Sequence, residues 1–255
     1  MMSHKKNILI LDNDECLGYF GSMSGFYTSI IGNYCYKNRL ERQNQKRQEV
    51  EKLFREFSVD LLKTGFARPA LKEFFNQAYQ LKKSGDLDHI VMYTSANRNS
   101  GKHEEKYVDW VGMLRSIFEQ YAGKPIYDLD HSGRSDENPP LEAKDGATLK
   151  SVGRIISRLG LTKDQVGKIM FLDDRPHNIE CQENCPTDRT LKLGMTAYMY
   201  LPKLERLAKV CQKWDPVFQR AGLEMPSKYL ADYYREDAED LLSEGKKPGG
   251  IRKDP

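Results

Sequence analysis

No stretch of this chain is long and apolar enough to span a bilayer, because its hydrophobic runs are only about strand length. Met1-Met2-Ser3-His4-Lys5-Lys6 leads straight into the first of them with no signal-peptide core. The expected setting is therefore intracellular, in cytoplasm or nucleus, with no membrane partner. The charge balance is nearly even at +3, too slight to imply nucleic-acid binding, though compatible with an anionic substrate. Nucleic acid is possible as a partner but is not favoured. Cysteine is sparse, and Cys16, Cys35, Cys181, Cys185 and Cys211 form an odd, scattered set unlike a disulfide framework. Cys181 and Cys185 stand beside His177 in a C-x3-C pair, but no second ligand pair lies nearby, so free thiols are expected rather than zinc. There is no internal repeat. What remains is a polar chain of 255 residues, long enough to bury one large core with insertions.

Three short apolar runs organise that core. Asn7-Ile8-Leu9-Ile10-Leu11 precedes Asp12-Asn13-Asp14-Glu15, His89-Ile90-Val91-Met92-Tyr93 precedes Thr94-Ser95, and Lys168-Ile169-Met170-Phe171-Leu172 precedes Asp173-Asp174. Each is rich in branched or aromatic residues, as is a strand buried on both faces of a parallel sheet. Ligands of open α/β sheets bind beyond the carboxyl ends of the strands. Parallel alignment would gather four carboxylates and a hydroxyl at one edge.

Between these runs the chain reads mostly as helix. Residues 18–33 mix Gly, Ser and aromatic residues and are open between turn, hairpin and short helix. Residues 37–57 carry seven basic and four acidic side chains, with Leu40, Val50, Leu53, Phe54 and Phe57 as an apolar stripe. They read as a solvated amphipathic helix or as a lid or partner-binding insertion. Arg68-Pro69 opens a helix with Leu71, Phe74, Phe75 and Tyr79 inward, closed by Gly85-Asp86. Residues 104–122 read as another, with Tyr107, Val108, Val111, Leu114, Ile117 and Phe118 inward. A short strand is expected at Ile126-Tyr127, a surface loop or small hairpin over 131–147, and a helix over 148–159. Ala197-Tyr198-Met199-Tyr200-Leu201 predicts a final strand before Pro202, followed by helices at about 203–222 and 227–243. Gly245 to Pro255 has the composition of a disordered tail.

The residues at the three run ends suit phosphoryl transfer. A carboxylate can attack phosphorus to form an aspartyl-phosphate that water later cleaves. Carboxylate and phosphate repel, so a cation is required, and Mg²⁺ with its preference for oxygen ligands fits an acidic cluster. In an extended segment, residues two apart point the same way, so Asp12 and Asp14 can address one substrate as nucleophile and acid/base. Alone, such an acidic loop is as well explained by a turn or helix cap. A second acidic pair, Asp173-Asp174, ending another strand shifts the balance toward chemistry. Thr94 is placed to hold a phosphoryl oxygen, with a helix cap as its ordinary alternative. Lys150 could neutralise the charge of phosphate and nucleophile, with Lys144 as its rival.

This pattern resembles the haloacid dehalogenase superfamily: Asp-x-Asp, then Thr/Ser, then Lys, then Asp-Asp, each acidic or hydroxyl motif following a strand. Leu11-Asp12-Asn13-Asp14-Glu15-Cys16-Leu17 is similar to the D-L-D-E-T-L signature of its FCP/SCP (NLI-interacting-factor-like) phosphatases. Glu15 and Leu17 agree with that signature, whereas Asn13 and Cys16 depart from it. Phe66-Ala67-Arg68-Pro69, Tyr93-Thr94-Ser95-Ala96 and Leu172-Asp173-Asp174-Arg175-Pro176 resemble further family segments. The resemblance covers roughly residues 5–202. It implies an α/β Rossmann-like three-layer sandwich with a central parallel sheet and a small insertion after the first strand. The core would span 1–202, with an insertion near 16–67, C-terminal helices at 203–243 packed on the core and a tail at 244–255. It further implies Asp12 as nucleophile and Asp14 as acid/base, the latter with its carbonyl on the metal. Asp12 and Asp174 would be Mg²⁺ ligands, with Asp173 beside them or bound through water, and Thr94 and Lys150 would hold the phosphoryl group. Arg134 is a weaker candidate for a phosphate contact, because 124–148 matches the family's substrate hairpin poorly.

The leading expectation is a Mg²⁺-dependent phosphatase acting on phosphoserine or phosphothreonine in proteins. Family members commonly take such substrates, including the RNA polymerase II tail. A small-molecule or nucleic-acid-end phosphatase is the alternative within enzymes, since a large cap over the site would shut out macromolecules. Outside enzymes, the alternative is a catalytically weak scaffold that binds phosphoproteins.

Overall fold

The computed structural model describes residues 5–97, 108–134, 141–142, 148–181, 184–198 and 204–243. Strand β1 (Lys6–Leu11) leads into helices α1 (Gly21–Phe26), α2 (Asn33–Lys37), α3 (Gln45–Leu61) and α4 (Leu71–Ser84). Then come β2 (His89–Asn97), α5 (Trp110–Ala122), β3 (Leu129–Arg134), β4 (Leu141–Glu142), β5 (Thr148–Ser151) and α6 (Val152–Arg158). The order ends with β6 (Val166–Asp173), β7 (Ile179–Glu180), β8 (Thr190–Gly194), α7 (Leu204–Arg220) and α8 (Pro226–Ser243).

Five strands form one parallel sheet in the order β3-β2-β1-β6-β8, and β4-β5-β7 form a small second sheet. The three apolar runs are its centre, in the register Leu11 beside Met92 on one side and Leu172 on the other. Alternation assigns their side chains. Ile8, Ile10, Val91, Ile169 and Phe171 pack with Val152, Ile155 and Ile156 of α6 on one face. Leu9, Leu11, Ile90 and Met92 join the larger helical cluster on the other. Apolar burial on both faces explains why β1 and β2 are continuously hydrophobic rather than alternating, whereas β6 alternates in burial and leaves Met170 exposed. The fold is thus an α/β three-layer sandwich around a parallel sheet, as expected.

The segment between β1 and β2 packs on the sheet rather than standing away from it. Asn44 caps α3, its Oδ1 accepting from the Lys46 N–H at 2.8 Å. Val50, Phe54 and Phe57 of α3 are buried in the cluster that also holds Leu9 and Leu11. The ambiguous 18–33 region is helical from Gly21, α1 running through a π-helical turn at Tyr27–Gly32 into α2, while Gly18 bridges to Asp14 and Ala67. The C-terminal helices close the same cluster. Phe218 of α7 lies 5.6 Å from Phe26 and 5.4 Å from Phe57, centroid to centroid. From α8, the Tyr234 hydroxyl meets Ser22 Oγ at 2.8 Å. Among the described residues no helix is long and apolar enough to cross a membrane.

Four local expectations are corrected. Ile126-Tyr127 is not a strand; the ladder partner of β2 is β3, beginning at Leu129. Residues 131–134 therefore belong to the main sheet rather than to a surface loop or small hairpin, while Leu141–Glu142 do pair antiparallel with β5. The polar sequence of 131–134 is accommodated because the buried His131 takes a hydrogen bond at Nδ1 from Arg158 at 2.7 Å. The helix expected over 148–159 starts only at Val152, because Thr148–Ser151 pairs with β4 and β7. The last core strand is β8, Thr190–Gly194, which lies seven residues before the expected one. Ala197 and Tyr198 are irregular, and 199–201 lie outside the described residues. So do Tyr107 and the tail from 244 onward.

Candidate functional site

All three run ends meet at the carboxyl edge of the sheet. The Asp12 N–H donates to the Leu172 carbonyl at 2.9 Å, which extends the β1–β6 ladder by one residue and sets Asp12 beside Asp173. Both follow the face of Ile10 and Phe171. Lys150 reaches the same point from the end of β5, its Nζ 2.8 Å from Asp12 Oδ1 and 2.7 Å from Asp173 Oδ2. All three side chains are buried. Lys150 is itself placed by two devices. β5 pairs with β7 at Lys150 and Ile179, and the Ser151 N–H donates to the Tyr93 hydroxyl at 3.2 Å.

Asp174 completes an acidic group. One oxygen each from Asp12, Asp173 and Asp174 lie within 4.8 Å of one another. Asp173 already accepts two hydrogen bonds, from Lys150 at Oδ2 and from the Arg175 N–H at Oδ1, 2.7 Å away. Asp174 pairs with the exposed Arg175 guanidinium at 3.3 Å. Among the described residues this is the one set of three potential ligand atoms so close together. The donors are all hard carboxylate oxygens, which suits Mg²⁺. Cys181 and Cys185 are free thiols.

Asp14 takes a different position. It is exposed, and one carboxylate oxygen accepts from the Phe20 N–H at 3.0 Å. Thr94 is buried near the end of β2, in a register that continues Leu11–Met92 to align it with Asn13. Asn13 is wholly buried, and neither of its amide atoms has a hydrogen-bond partner among the described residues. Cys16 is a packed thiol 3.5 Å from Met195 Sδ, and burial pushes its pKa up, so it supports the loop without reactive character. Lys144 and the Arg134 side chain lie outside the described residues.

The electrostatics favour proton-holding carboxyls. Burial dominates at Asp12 and raises its carboxyl to about 7, against the pull of Lys150 and with the push of Asp173. Asp173 is raised for the same first reason, burial, again opposed by Lys150. Lys150 loses hydration by burial, yet its two carboxylate partners outweigh that loss and keep it cationic. At Asp14, crowding by surrounding protein raises the carboxyl, the Phe20 N–H opposes this and Asp174 adds to it. Solvent still reaches this residue, and hydration works against the rise.

The strand-end residues were legible because each belongs to a short contiguous motif. Arg68 was not legible as a site residue. Its Nε donates to the Cys16 carbonyl at 2.6 Å, and its Nη2 to the carbonyls of Glu15 at 3.1 Å and Thr196 at 2.6 Å. Arginine at a helix start carries no signal that it will bind three carbonyls distant in sequence.

No protein-family model and no curated protein matches the chain. Among solved structures, a HAD-superfamily hydrolase (subfamily IA, variant 1) from Geobacter sulfurreducens PCA is similar with a TM-score of 0.31 and 15% identity. The match covers 66% of this chain and 80% of that one. So loose an overlap carries no chemistry. The functional reading rests on the residues at the sheet edge.

Proposed function

We propose that this chain is a Mg²⁺-dependent phosphomonoester hydrolase of the haloacid dehalogenase type, acting through an aspartyl-phosphate on Asp12. The observation that carries it is the buried bridge of Lys150 between Asp12 and Asp173, with Asp174 completing an oxygen-ligand cluster. In the first step an Asp12 oxygen bonds to phosphorus as the ester P–O bond breaks, and the Asp14 carboxyl gives its proton to the leaving oxygen. In the second, water attacks the same phosphorus while Asp14 recovers a proton from it, releasing phosphate and the Asp12 carboxylate. The raised pKa of Asp14 supports its proton-donating role. Lys150 and the Thr94 hydroxyl hold phosphoryl oxygens. A Mg²⁺ ion held by Asp12 and Asp174, with the Asp14 carbonyl, would offset the carboxylate charge and keep Asp12 ionised.

The favoured substrate class is phosphoserine or phosphothreonine in proteins. The resemblance of residues 11–17 to the FCP/SCP signature supports it. So does the insertion, whose α3 packs its apolar stripe into the main cluster instead of forming a separate lid. The test is phosphate release from p-nitrophenyl phosphate and a phosphoserine peptide panel, with and without Mg²⁺. Turnover that needs Mg²⁺, prefers peptides and vanishes in folded Asp12→Asn supports the reading. Full activity in Asp12→Asn overturns it.

A further inference from the structure

The turn after Asp14 is held in a conformation that its sequence does not favour. Glu15 has φ of 58°, in the left-handed region, where a residue with a Cβ is disfavoured relative to glycine. Backbone strain of this kind persists only where the surroundings over-determine it. Here they do. The Glu15 carbonyl accepts from the Tyr198 N–H at 2.6 Å and from Arg68 Nη2 at 3.1 Å. The next carbonyl, of Cys16, accepts from Arg68 Nε at 2.6 Å.

Arg68 and Tyr198 come from different parts of the chain and hold each other. The guanidinium lies 5.1 Å over the Tyr198 ring, and its Nη2 also donates to the Thr196 carbonyl. The Tyr198 hydroxyl donates to the Gly65 carbonyl at 2.8 Å, back beside Arg68. The Arg68 N–H itself donates to Leu17 at 2.9 Å. The two segments thus enclose the Glu15–Leu17 turn. That turn begins at Asp14, whose carboxylate is aimed by the Phe20 N–H at its far end. Met195, at the start of the other segment, donates its N–H to the Asp173 carbonyl at 2.8 Å. One clamp therefore spans the acid/base candidate and the acidic strand end.

We propose that Arg68, backed by Tyr198, is a positioning residue that keeps the left-handed turn at Glu15 and so fixes where Asp14 presents its carboxyl. This rests on the reading of Asp14 as acid/base. The Arg68 guanidinium holds backbone carbonyls and the Tyr198 ring, so it acts through the turn.

The experiment uses the full chain as Arg68→Ala, Arg68→Lys and Arg68→Ala/Glu15→Gly, with steady-state kinetics on p-nitrophenyl phosphate and amide hydrogen exchange. Arg68→Ala lowers kcat on the order of 10- to 100-fold with KM little changed, as expected of misplaced catalytic geometry. Glycine at 15 removes the left-handed penalty and restores on the order of a factor of ten. A merely structural arginine would show neither the kcat-only loss nor the glycine rescue. Exchange at the Leu17 and Phe20 amides speeds up in Arg68→Ala. If the alanine variant does not fold, Arg68→Lys, which keeps charge but not the fork of donors, gives an intermediate kcat loss. Unchanged kcat or unchanged exchange in a folded variant overturns the proposal. A wild type without turnover overturns the phosphatase reading, and the exchange result alone then decides the clamp.

Discussion

Replacing Lys150 with methionine would leave Asp12 and Asp173 side by side in a buried place with no cation between them. Removing one partner of a buried ionic cluster costs roughly 3–5 kcal/mol, and the raised pKa of Asp12, which lets it accept a proton, moves the expected loss to the lower end. Lys150→Met should therefore lose about 3 kcal/mol in denaturant unfolding and nearly all turnover. A stable, inactive variant would confine Lys150 to catalysis. Asp14→Asn should slow turnover on the order of 10² or more, if general acid/base catalysis contributes its usual share, and should leave stability unchanged because the residue is exposed. At this scale the sequence spoke through adjacency. Asp12, Asp14, Thr94, Asp173 and Asp174 follow strands directly, so a pattern of apolar run then polar residue locates them. Lys150 was open against Lys144 because no strand signal marks Thr148–Ser151, and only the β5–β7 pairing brings it to the edge. Arg68 stood out only within a segment resembling the family's, with no role assigned, because its acceptors are backbone carbonyls 52, 53 and 128 residues away.

Elements were legible in proportion to how strongly burial shaped their composition. β1 and β2 are flanked on both faces by apolar clusters, and β6 buries Ile169 and Phe171 on one, so all three read as strands. β3 is Leu-Asp-His-Ser-Gly-Arg, and its place comes from ladder bonds to β2 and polar contacts rather than from apolar pattern. β8 lies at the sheet edge with Leu191 exposed, so its composition says little, while the aromatic Tyr198 segment that imitates a strand serves the clamp on Glu15. Helices fared better, since Gly85 at φ of 84° ends α4 where the sequence placed its stop. The same cluster predicts what α7 is for. Phe218 is fully buried among Phe26, Phe57 and Trp214. Phe218→Ala should cost roughly 3–5 kcal/mol by chemical denaturation. A loss under about 1 kcal/mol would mean that α7 is dispensable to the core.

The whole molecule brings two opposed demands to one edge. Parallel strands and their helices bury the site, while catalysis calls for several like charges there. The raised pKa of Asp12 records that tension and gives it a sign. Its ordinary value is 3.8 and its folded value about 7. Between these the folded protein holds a proton that the unfolded chain has released. Raising pH through that window therefore removes stability from the metal-free protein. A divalent cation needs the carboxylates ionised, so its stabilising effect grows across the same window. Melting temperatures with and without Mg²⁺ should differ more at about pH 8 than at about pH 5. An increment independent of pH would place Mg²⁺ elsewhere. The general architecture was readable because the three motifs end neighbouring parallel strands, and α7 and α8 stand close to where helices were expected; the clamp arises from contacts that close only in three dimensions.

The most direct measurement traps the covalent intermediate. Wild type and Asp14→Asn are mixed with a phosphomonoester and Mg²⁺, quenched in acid and reduced with borohydride. This converts an aspartyl-phosphate to homoserine, which peptide mass spectrometry can locate. Homoserine is expected at position 12 alone, accumulating further if Asp14→Asn slows release. Turnover with position 12 still aspartate, or modification at another carboxylate, would contradict it.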